Sequence, residues 1–256
     1  MAEPDPGTQL RLLGSGAPVG EEHLRDLYAY PAELHGCWVR SNFITSLDGG
    51  ATADGKSGDL AGAGDRALFA LMRELADIVL VGAGTVRIEN YGGVKLGVAS
   101  RQARQARGQA EVPPIGIVTA SGRLQRDMTV FTHTEVVPLV LTCTASVNAA
   151  RDSLGDAAEV VDCSASDPAA VDLAATLTAL ASRGLPRVLT EGGPLLHAAL
   201  IEAGLLDELC LTVAPTLLAG PARRIAAGPD QVLTRMRPGH LLTDSAGYLY
   251  TRYIRG

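Results

Sequence analysis

Short apolar runs alternate with amphipathic segments along most of the chain. Residues 78–81, 115–118 and 139–141 are apolar runs of the length expected for buried strands of a parallel sheet. Residues 65–75 instead carry apolar side chains at positions 68, 71, 72 and 75, which is the spacing of one helical face. This alternation predicts an α/β fold built on a mostly parallel central sheet.

The rest of the chain continues the alternation. Further strands are predicted at 37–47, around 160–163 and at 188–189, and further helices at 21–30, 167–182 and 195–203. After Gly204, apolar and polar residues alternate over 207–213, and the chain closes with a tyrosine-rich strand at 247–254. We therefore expect a three-layer fold with antiparallel C-terminal edge strands. A single domain over 36–256 would follow a partly flexible N-terminal extension over 1–35.

The composition is that of a folded protein with a core of its own. Of 256 residues, 46% are hydrophobic and 20% charged, and the net charge is −6. An acidic chain with 4% aromatic residues is poorly suited to binding nucleic acid. No apolar stretch reaches the roughly 20 residues of a membrane span, and the N-terminus does not read as a secretory signal. We expect a cytoplasmic protein with neither nucleic-acid nor membrane partners.

The cysteines and histidines form no metal-binding pattern. Cys37, Cys143, Cys163 and Cys210 are far apart, and no histidine lies at ligand spacing from another histidine or from a cysteine. The sequence also lacks G-x-S-x-G and H-E-x-x-H motifs. We therefore predict reduced thiols and no metal, and the common hydrolytic chemistries lose support.

Three glycine-bearing turns each follow a short apolar strand. They are V-G-A-G-T at 81–85, T-A-S-G-R at 119–123 and T-E-G-G-P at 190–194. At such turns, backbone N–H groups and a following helix N-terminus favour phosphate or pyrophosphate. None contains G-x-G-x-x-G, so ordinary tight turns remain the alternative interpretation.

Three charged residues lie where chemistry is plausible. Asp48 ends the first core strand within S-L-D-G, and Glu191 directly follows the strand at 188–189. Either carboxylate could orient a substrate or transfer a proton, or Asp48 could simply bond to its own turn. Arg73, in the helix at 65–75, either reaches solvent or holds a phosphate with its planar fork.

The order of these motifs resembles the reductase of riboflavin biosynthesis. The chain carries S-L-D-G, a helix with Arg73, V-G-A-G-T-V-R, T-A-S-G-R, T-E-G-G-P-L-L, D-E-L and A-P-T-L-L-A-G, in that order over about 36–254. That reductase has a dihydrofolate-reductase-like fold and is often fused behind a zinc deaminase domain. Because the P-C-x-x-C of that zinc site is absent here, we expect a stand-alone reductase-like chain.

The resemblance implies an NADPH-dependent reductase that acts on the ribosyl group of a pyrimidine ribosylamine phosphate. Glu191 and Asp48 would be the catalytic candidates, with Glu191 ranked first. Ser57, Arg73, Lys95 and again Glu191 would contact the substrate. The implied cofactor-binding residues are Gly82, Gly84, Thr85, Glu89, Ser121, Arg123, Cys163, Gly192, Gly193, Pro194, Leu195 and Leu196. A homodimer is also implied, and the strands at 207–213 and 247–254 are its candidate interface edges.

Two features depart from the pattern of that family. Gly50 follows S-L-D-G where many relatives carry a basic residue, and E-N-Y-G-G-V-K at 89–95 replaces D-P-x-L-T-x-R. Lys95 supplies a point charge rather than a fork there. Two other functions therefore stay open. One is a reductase of the same fold acting on dihydrofolate or another pterin-like substrate, and the other is a non-catalytic dinucleotide-binding protein.

Overall fold

The computed structural model describes residues 11–12, 14, 16–53 and 55–256. Residues 1–10, 13 and 15 of the predicted N-terminal extension lie outside these residues. The described part begins with β1 (Arg11–Leu12) and α1 (Glu21–Leu27). The helix is shorter than the predicted 21–30 and ends before Tyr28, whose ring is buried against the sheet.

The middle of the chain alternates strands and helices as the apolar pattern predicts. These elements are β2 (Trp38–Thr45), α2 (Ala63–Leu75), β3 (Ile78–Gly82), α3 (Ala83–Ile88), α4 (Val98–Ala106), β4 (Ile115–Val118), α5 (Thr129–Thr132), β5 (Leu139–Thr142), α6 (Thr144–Leu154), β6 (Glu159–Asp162), α7 (Leu173–Ala181), β7 (Arg187–Thr190) and α8 (Pro194–Glu202). Short 3₁₀ turns lie at Gly58–Leu60 and Gly155–Ala157. Three strands then complete the chain, β8 (Glu208–Val213), β9 (Met236–Thr243) and β10 (Leu249–Arg255).

The strands of the described residues form one sheet in the order β1-β9-β10-β8-β2-β7-β3-β4-β5-β6. All pairs from β8 to β6 are parallel, whereas β10 pairs antiparallel with both β8 and β9, and β1 with β9. The predicted mostly parallel sheet with antiparallel C-terminal strands is confirmed. Both candidate interface strands, β8 and β10, lie inside the sheet with each edge already paired. The homodimer itself stays a prediction.

Strand β3 contributes side chains to both faces of the core. Its residues Val79 and Val81 pack in the cluster that includes Leu68 of α2. Ile78 and Leu80 pack in the other cluster, with the apolar sides of α7 and α8. Successive side chains of a strand point to opposite faces, so a wholly apolar strand requires cover on both sides. The three-layer arrangement follows from this requirement.

Differences from the predicted elements have local causes. The α7 helix begins at Leu173 rather than 167, because the Asp172 side chain caps it by accepting a 2.7 Å hydrogen bond from the Ala175 N–H. Strand β9 has no clear apolar alternation, since it contains Pro238 and Gly239 and pairs with β10 through an irregular register. No helix follows the turn at 119–123 until α5. In the described part of the chain, no helix is long and apolar enough to cross a membrane.

A buried ion network joins the strands on one side of the sheet centre. Glu208 of β8 accepts from the Arg40 Nε of β2 at 2.6 Å and from the Arg252 Nε of β10 at 2.7 Å. Burial alone would raise the pKa of Glu208, but the two guanidinium groups outweigh it and hold the pKa at about 2. Arg252 also donates to the carbonyl of Leu27 at 3.1 Å. The network therefore ties the end of α1 to the sheet.

Candidate active site

A cleft of about 640 Å³ opens where β2, β3 and β7 end. Its lining includes Ile44 near the end of β2, Thr85 just after β3 and Glu191 just after β7. The carboxyl ends of parallel strands are the usual position for ligands in open α/β sheets. The volume falls in the range of small-molecule sites, roughly 300–1,000 Å³.

One wall of this cleft carries a bidentate ion pair between α2 and the turn after β7. Arg73 donates from Nε to Glu191 Oε1 and from Nη2 to Glu191 Oε2, each at 2.7 Å. The Tyr91 hydroxyl donates to Glu191 Oε2, also at 2.7 Å. The guanidinium of Arg73 lies 4.1 Å from the ring centre of Phe69. The planar Arg73 fork is thus held by Glu191 and by an aromatic ring.

The electrostatics of this group follow from burial and from the ion pair. Burial would lower the pKa of Arg73, but the Glu191 carboxylate outweighs burial and raises it, so Arg73 stays charged. Burial raises the pKa of Tyr91 well above its ordinary value, and Glu191 raises it further. Tyr91 therefore remains a neutral donor to Glu191 at any physiological pH.

The turns after β3 and β7 are in direct contact. The Gly82 N–H donates to the Gly192 carbonyl at 2.7 Å. A Cβ at Gly193 would lie 2.4 Å from Thr85 Oγ1, and Gly192 has a φ of +94°, so neither position accommodates a larger residue without strain. The α8 helix then starts at Pro194 with no side-chain cap. Its free first-turn N–H groups and this close backbone approach fit a pyrophosphate.

A second cleft, of about 900 Å³, adjoins the first. Its lining includes Arg87, Ser121 and Arg123. Asn90 and Thr129 line both clefts, and the Thr129 hydroxyl donates to the Asn90 side-chain oxygen at 2.6 Å. These two residues therefore form a shared boundary between the clefts. The two guanidinium groups and the Ser121 hydroxyl are donors suited to a phosphate dianion.

Predicted substrate and cofactor residues lie close together at the C-terminal end of α3. Glu89 Oε1 accepts from the Ser57 N–H at 3.2 Å and from the Ser57 hydroxyl at 3.3 Å. Both residues line the first cleft together with Lys95, whose side chain is exposed. The structure thus brings Ser57 to the same cleft as Glu89 and Lys95, which lie in the loop between α3 and α4.

Other candidates flank the clefts or lie apart from them. Gly82, Gly84, Gly192, Leu195 and Leu196 belong to the strand ends and first helical turns next to the cleft. Asp48 lines neither cleft. Its carboxylate accepts from the Ser46 hydroxyl and from the N–H groups of Leu218 and Ala219, and these bonds lower its pKa to about 2. Cys163 is buried in the core, and burial raises the pKa of its thiol.

The cleft also contains residues that the sequence analysis did not single out. Asp65 and Phe69 line it from α2, eight and four residues before Arg73. That spacing puts all three on one helical face, so the pattern was present in the sequence. Nothing in the sequence marks Tyr91, because its contact with Glu191 spans 100 positions. Within the described ranges, no group of three or more His, Cys, Asp or Glu residues could hold a metal ion.

The comparisons with known proteins agree with this geometry. The model of the RibD C-terminal domain family matches residues 37–250. A pyrimidine reductase-like protein from Corynebacterium diphtheriae superposes with a TM-score of 0.77 at 27% identity, over 91% of this chain and 98% of that one. No curated protein is significantly similar to the sequence.

Two more distant structures share the fold. RibD from Acinetobacter baumannii has a TM-score of 0.67 at 22% identity, with 86% of this chain covering 58% of RibD. The riboflavin biosynthesis reductase Rib7 from Saccharomyces cerevisiae has a TM-score of 0.66 at 16% identity, over 91% of this chain and 98% of that one. The fold is therefore dihydrofolate-reductase-like, as the resemblance implied.

Proposed function

The chain belongs to the RibD C-terminal domain family, and we propose that it reduces the ribosyl group of 5-amino-6-(5-phosphoribosylamino)uracil with NADPH. Membership makes the chain an oxidoreductase of the riboflavin-biosynthesis type. The cofactor and the substrate are the parts that we propose. The observation that carries them is the pair of joined clefts, one with the Arg73–Glu191 pair and the other with Arg87 and Arg123.

The joined clefts supply donors for each part of NADPH. The Gly192–Gly193 turn and the start of α8 would hold the pyrophosphate, because the N-terminus of α8 has no side-chain cap and the backbone packs closely there. Ser121 and Arg123 would hold the 2′-phosphate in the second cleft. Thr85 and Glu89 would lie along the ribose between them. A cofactor without the 2′-phosphate would leave the donors of the second cleft unused.

The protein's own contribution to the reaction is position and charge. Bound NADPH supplies a hydride, which we assign to C1′ of the opened ribose imine. Glu191 is the carboxylate placed at the reacting centre, where Arg73 and Tyr91 orient it. Ser57 and Lys95 would hold the sugar phosphate from the facing loops. Asp48 ranks second as an acid, because it lines neither cleft.

A second substrate class has an observation in its favour. Arg73 uses both Nε and Nη2 on Glu191, and the segment at 89–95 contributes only the Lys95 cation to the cleft. Phe43, Phe69 and Tyr91 add three aromatic rings to the lining. A cleft with several aromatic rings also suits dihydrofolate or another pterin-like substrate.

Consumption of NADPH tests these functions directly. The purified protein is given NADPH with the deaminated pyrimidine ribosylamine phosphate, with dihydrofolate, or with neither. We expect turnover with the pyrimidine. Turnover with dihydrofolate alone would replace the substrate assignment, and NADPH binding without turnover on either compound would favour a non-catalytic dinucleotide-binding protein.

A matched pair of variants separates the role of Glu191 from a general loss of fold. Glu191→Gln should lower turnover by about 10²-fold or more, the usual range for a lost acid–base group. Its affinity for NADPH and its thermal stability are measured on the same preparation, because the substitution also takes the carboxylate partner from Arg73. The control is Glu159→Gln, which alters only a surface pair with Arg183. Unchanged turnover in Glu191→Gln would remove the proposed role.

The resemblance also implies a homodimer in the cytoplasm, and both remain part of the proposal. Light scattering after gel filtration measures the mass of the particle in solution. A mass of one chain at micromolar concentration would contradict the dimer without affecting the proposed reaction.

A further inference from the structure

The lining of the first cleft carries an excess of positive charge, although the chain as a whole is acidic. The net charge of the chain is −6, yet the described residues that line this cleft include more basic than acidic side chains. The basic ones are Arg66, Arg73, Lys95 and Arg223, and the acidic ones are Asp65, Glu89 and Glu191. A cleft lined in this way attracts an anionic ligand.

The four basic side chains differ in the partners that they already hold. Arg73 uses two nitrogens on Glu191, and Arg66 donates to a main-chain carbonyl at 2.9 Å. In the described part of the chain, the side chains of Lys95 and Arg223 form no hydrogen bond or ion pair. Of these two, Arg223 has the planar guanidinium that binds an oxyanion through two parallel N–H groups. Arg223 is therefore the unengaged fork of the cleft.

The main chain around Arg223 is held by two elements that border the cleft. The Arg223 carbonyl accepts from the Ala51 N–H at 2.7 Å, just after the S-L-D-G turn. Two residues further on, the Ile225 carbonyl accepts from His197 Nδ1 of α8 at 3.0 Å. Because its main chain is fixed on both sides, Arg223 presents its side chain to the cleft from a rigid support.

The same segment leaves no room for a side chain at position 50. A Cβ at Gly50 would lie 2.8 Å from the Ala222 Cβ and 2.9 Å from the Leu218 Cδ1. A basic residue directly after S-L-D-G therefore does not fit unless the 218–222 segment shifts. The path of the chain that excludes a cation at position 50 brings a different cation, Arg223, into the cleft lining.

We propose that Arg223 is a specificity residue that binds the phosphate group of the substrate. The inference rests on the proposed function, since it assigns the phosphate end of the same substrate to a residue of this chain. A phosphate monoester carries about two negative charges at neutral pH. Arg223 supplies two N–H groups in one plane, and Lys95 in the same cleft supplies a second positive charge. The cleft thereby favours a phosphorylated substrate over its unphosphorylated form.

Phosphorus NMR of ribose 5-phosphate tests this assignment without any turnover. The sugar phosphate is titrated with the protein, and the change in its phosphorus resonance gives the dissociation constant. Arg223→Met removes the charge at similar side-chain length, and Arg223→Lys keeps the charge without the fork. The control is Arg224→Met, because Arg224 is the neighbouring exposed arginine and lines neither cleft. Thermal melting of each variant checks the fold.

We expect ribose 5-phosphate to bind the wild type and Arg224→Met equally. Its affinity for Arg223→Met should be lower by about 10- to 100-fold, the range for hydrogen bonds to a charged group. The affinity for Arg223→Lys should fall between the two. Equal binding to the wild type and Arg223→Met, or no binding to the wild type at millimolar concentration, would overturn the proposal. A loss in Arg123→Met alone would place the phosphate in the second cleft and would also overturn it.

A carboxylate probe tests the competing anion. The compound p-aminobenzoylglutamate carries the carboxylates of a folate without its pterin ring, and its binding to the same proteins is followed by calorimetry. If the affinity for this compound depends on Arg223 and that for ribose 5-phosphate does not, the bound anion is a carboxylate and the proposal is wrong.

Steady-state kinetics separate this proposal from the proposed function. With NADPH and the pyrimidine ribosylamine phosphate, Arg223→Met should raise KM by about 10-fold or more and change kcat by less than about threefold, because it removes binding that substrate and transition state share. An unchanged KM in an active Arg223→Met enzyme would refute the role of Arg223 and leave the function in place. Binding of ribose 5-phosphate that depends on Arg223, without turnover of the pyrimidine, would do the reverse.

Discussion

Arg73 and Glu191 are joined by two parallel hydrogen bonds of 2.7 Å across 118 positions of sequence. The side chains are 17% and 2% exposed, so the pair is shielded from solvent. It connects the helix α2 to the turn that leads into α8, and it therefore fixes the cleft wall relative to the glycine-bearing turns. A buried pair of this kind is costly to break, because the remaining partner keeps an unpaired charge.

Substitutions that remove the charge or the planar fork of Arg73 should therefore change stability and turnover measurably. Arg73→Met should lower the free energy of unfolding by about 3 kcal/mol, since Glu191 is left buried without a cation. Arg73→Lys keeps the charge but not the fork, and we expect it to recover stability more than turnover. Urea unfolding and NADPH-coupled rates measure the two effects.

The control for this comparison is Arg126→Met, which removes a surface pair with Asp156. It should change the free energy of unfolding by no more than about 1 kcal/mol. If Arg73→Met unfolds no more readily than Arg126→Met, the Arg73–Glu191 pair contributes nothing beyond a surface ion pair.

A methyl group at Gly193 should disturb cofactor binding. The new Cβ would clash with Thr85 Oγ1, so either the Thr85 side chain has to change its rotamer or the two turns have to separate. We expect Gly193→Ala to weaken NADPH binding by about 10-fold or more, in line with the usual energy of overpacking. Fluorescence titration of NADPH measures this change.

The matched control is Gly97→Ala, since Gly97 caps α4 with no heavy atom within 4 Å of its added Cβ. A second change, Thr85→Ala in the Gly193→Ala chain, removes the clashing hydroxyl and should restore thermal stability. It should not restore affinity, because Thr85 is itself a proposed cofactor contact. Wild-type affinity in Gly193→Ala would show that the turn does not approach the cofactor.

Acid should destabilise the protein through two buried histidines. Burial lowers the pKa of both His197 and His240 from 6.5 to about 4. Each is neutral in the folded state and takes up a proton more readily when unfolded. Stability is therefore complete above pH 6.5, falls as the pH drops from 6.5 towards 4, and levels off below it. The expected slope is about 1.4 kcal/mol per pH unit for each histidine.

Unfolding by urea at a series of pH values measures that slope. His240→Gln should lower the number of protons taken up on unfolding by one, which reduces the slope accordingly. His197→Gln should do the same, although it also removes the ring whose centre lies 4.4 Å from that of Phe43. The exposed His35 offers a control, because His35→Gln should leave the slope unchanged. A slope that survives both buried substitutions would place the effect elsewhere.

The Asp48 carboxylate should also make the folded state less stable in acid, but at a lower pH than the two histidines. Its hydrogen bonds with Ser46, Leu218 and Ala219 hold its pKa at about 2 rather than 3.8. The depressed pKa gives the folded state an advantage that is complete above pH 3.8 and is lost as the pH falls to about 2. Asp48→Asn should therefore be less stable than the wild type at pH 5, and the difference should shrink towards pH 2.

The same measurement on Asp152→Asn provides the comparison, since that carboxylate is exposed on α6. A stability difference for Asp48→Asn that does not change between pH 5 and 2 would mean that its hydrogen bonds do not favour the ionised form.

Most of the fold was predictable because its causes are local. The strand at 115–118 was predicted with its observed bounds, and those at 78–81 and 139–141 to within one residue, since each is a buried apolar run between turns. The strand β9 was not, because Pro238 and Gly239 hide its alternation and only pairing with β10 makes it a strand. The three glycine-bearing turns were visible for the same local reason as the apolar runs.

The sequence by itself determined the layered α/β architecture, the glycine turns at the strand ends and the motif order that identifies the family. Only the tertiary structure decided which of those motifs meet. It paired Arg73 with Glu191, placed Asn90 and Thr129 on the boundary of two clefts, and put the buried Asp65 in the cleft lining. Periodicity and turn chemistry act over a few residues, whereas these contacts depend on how the helices pack on the sheet.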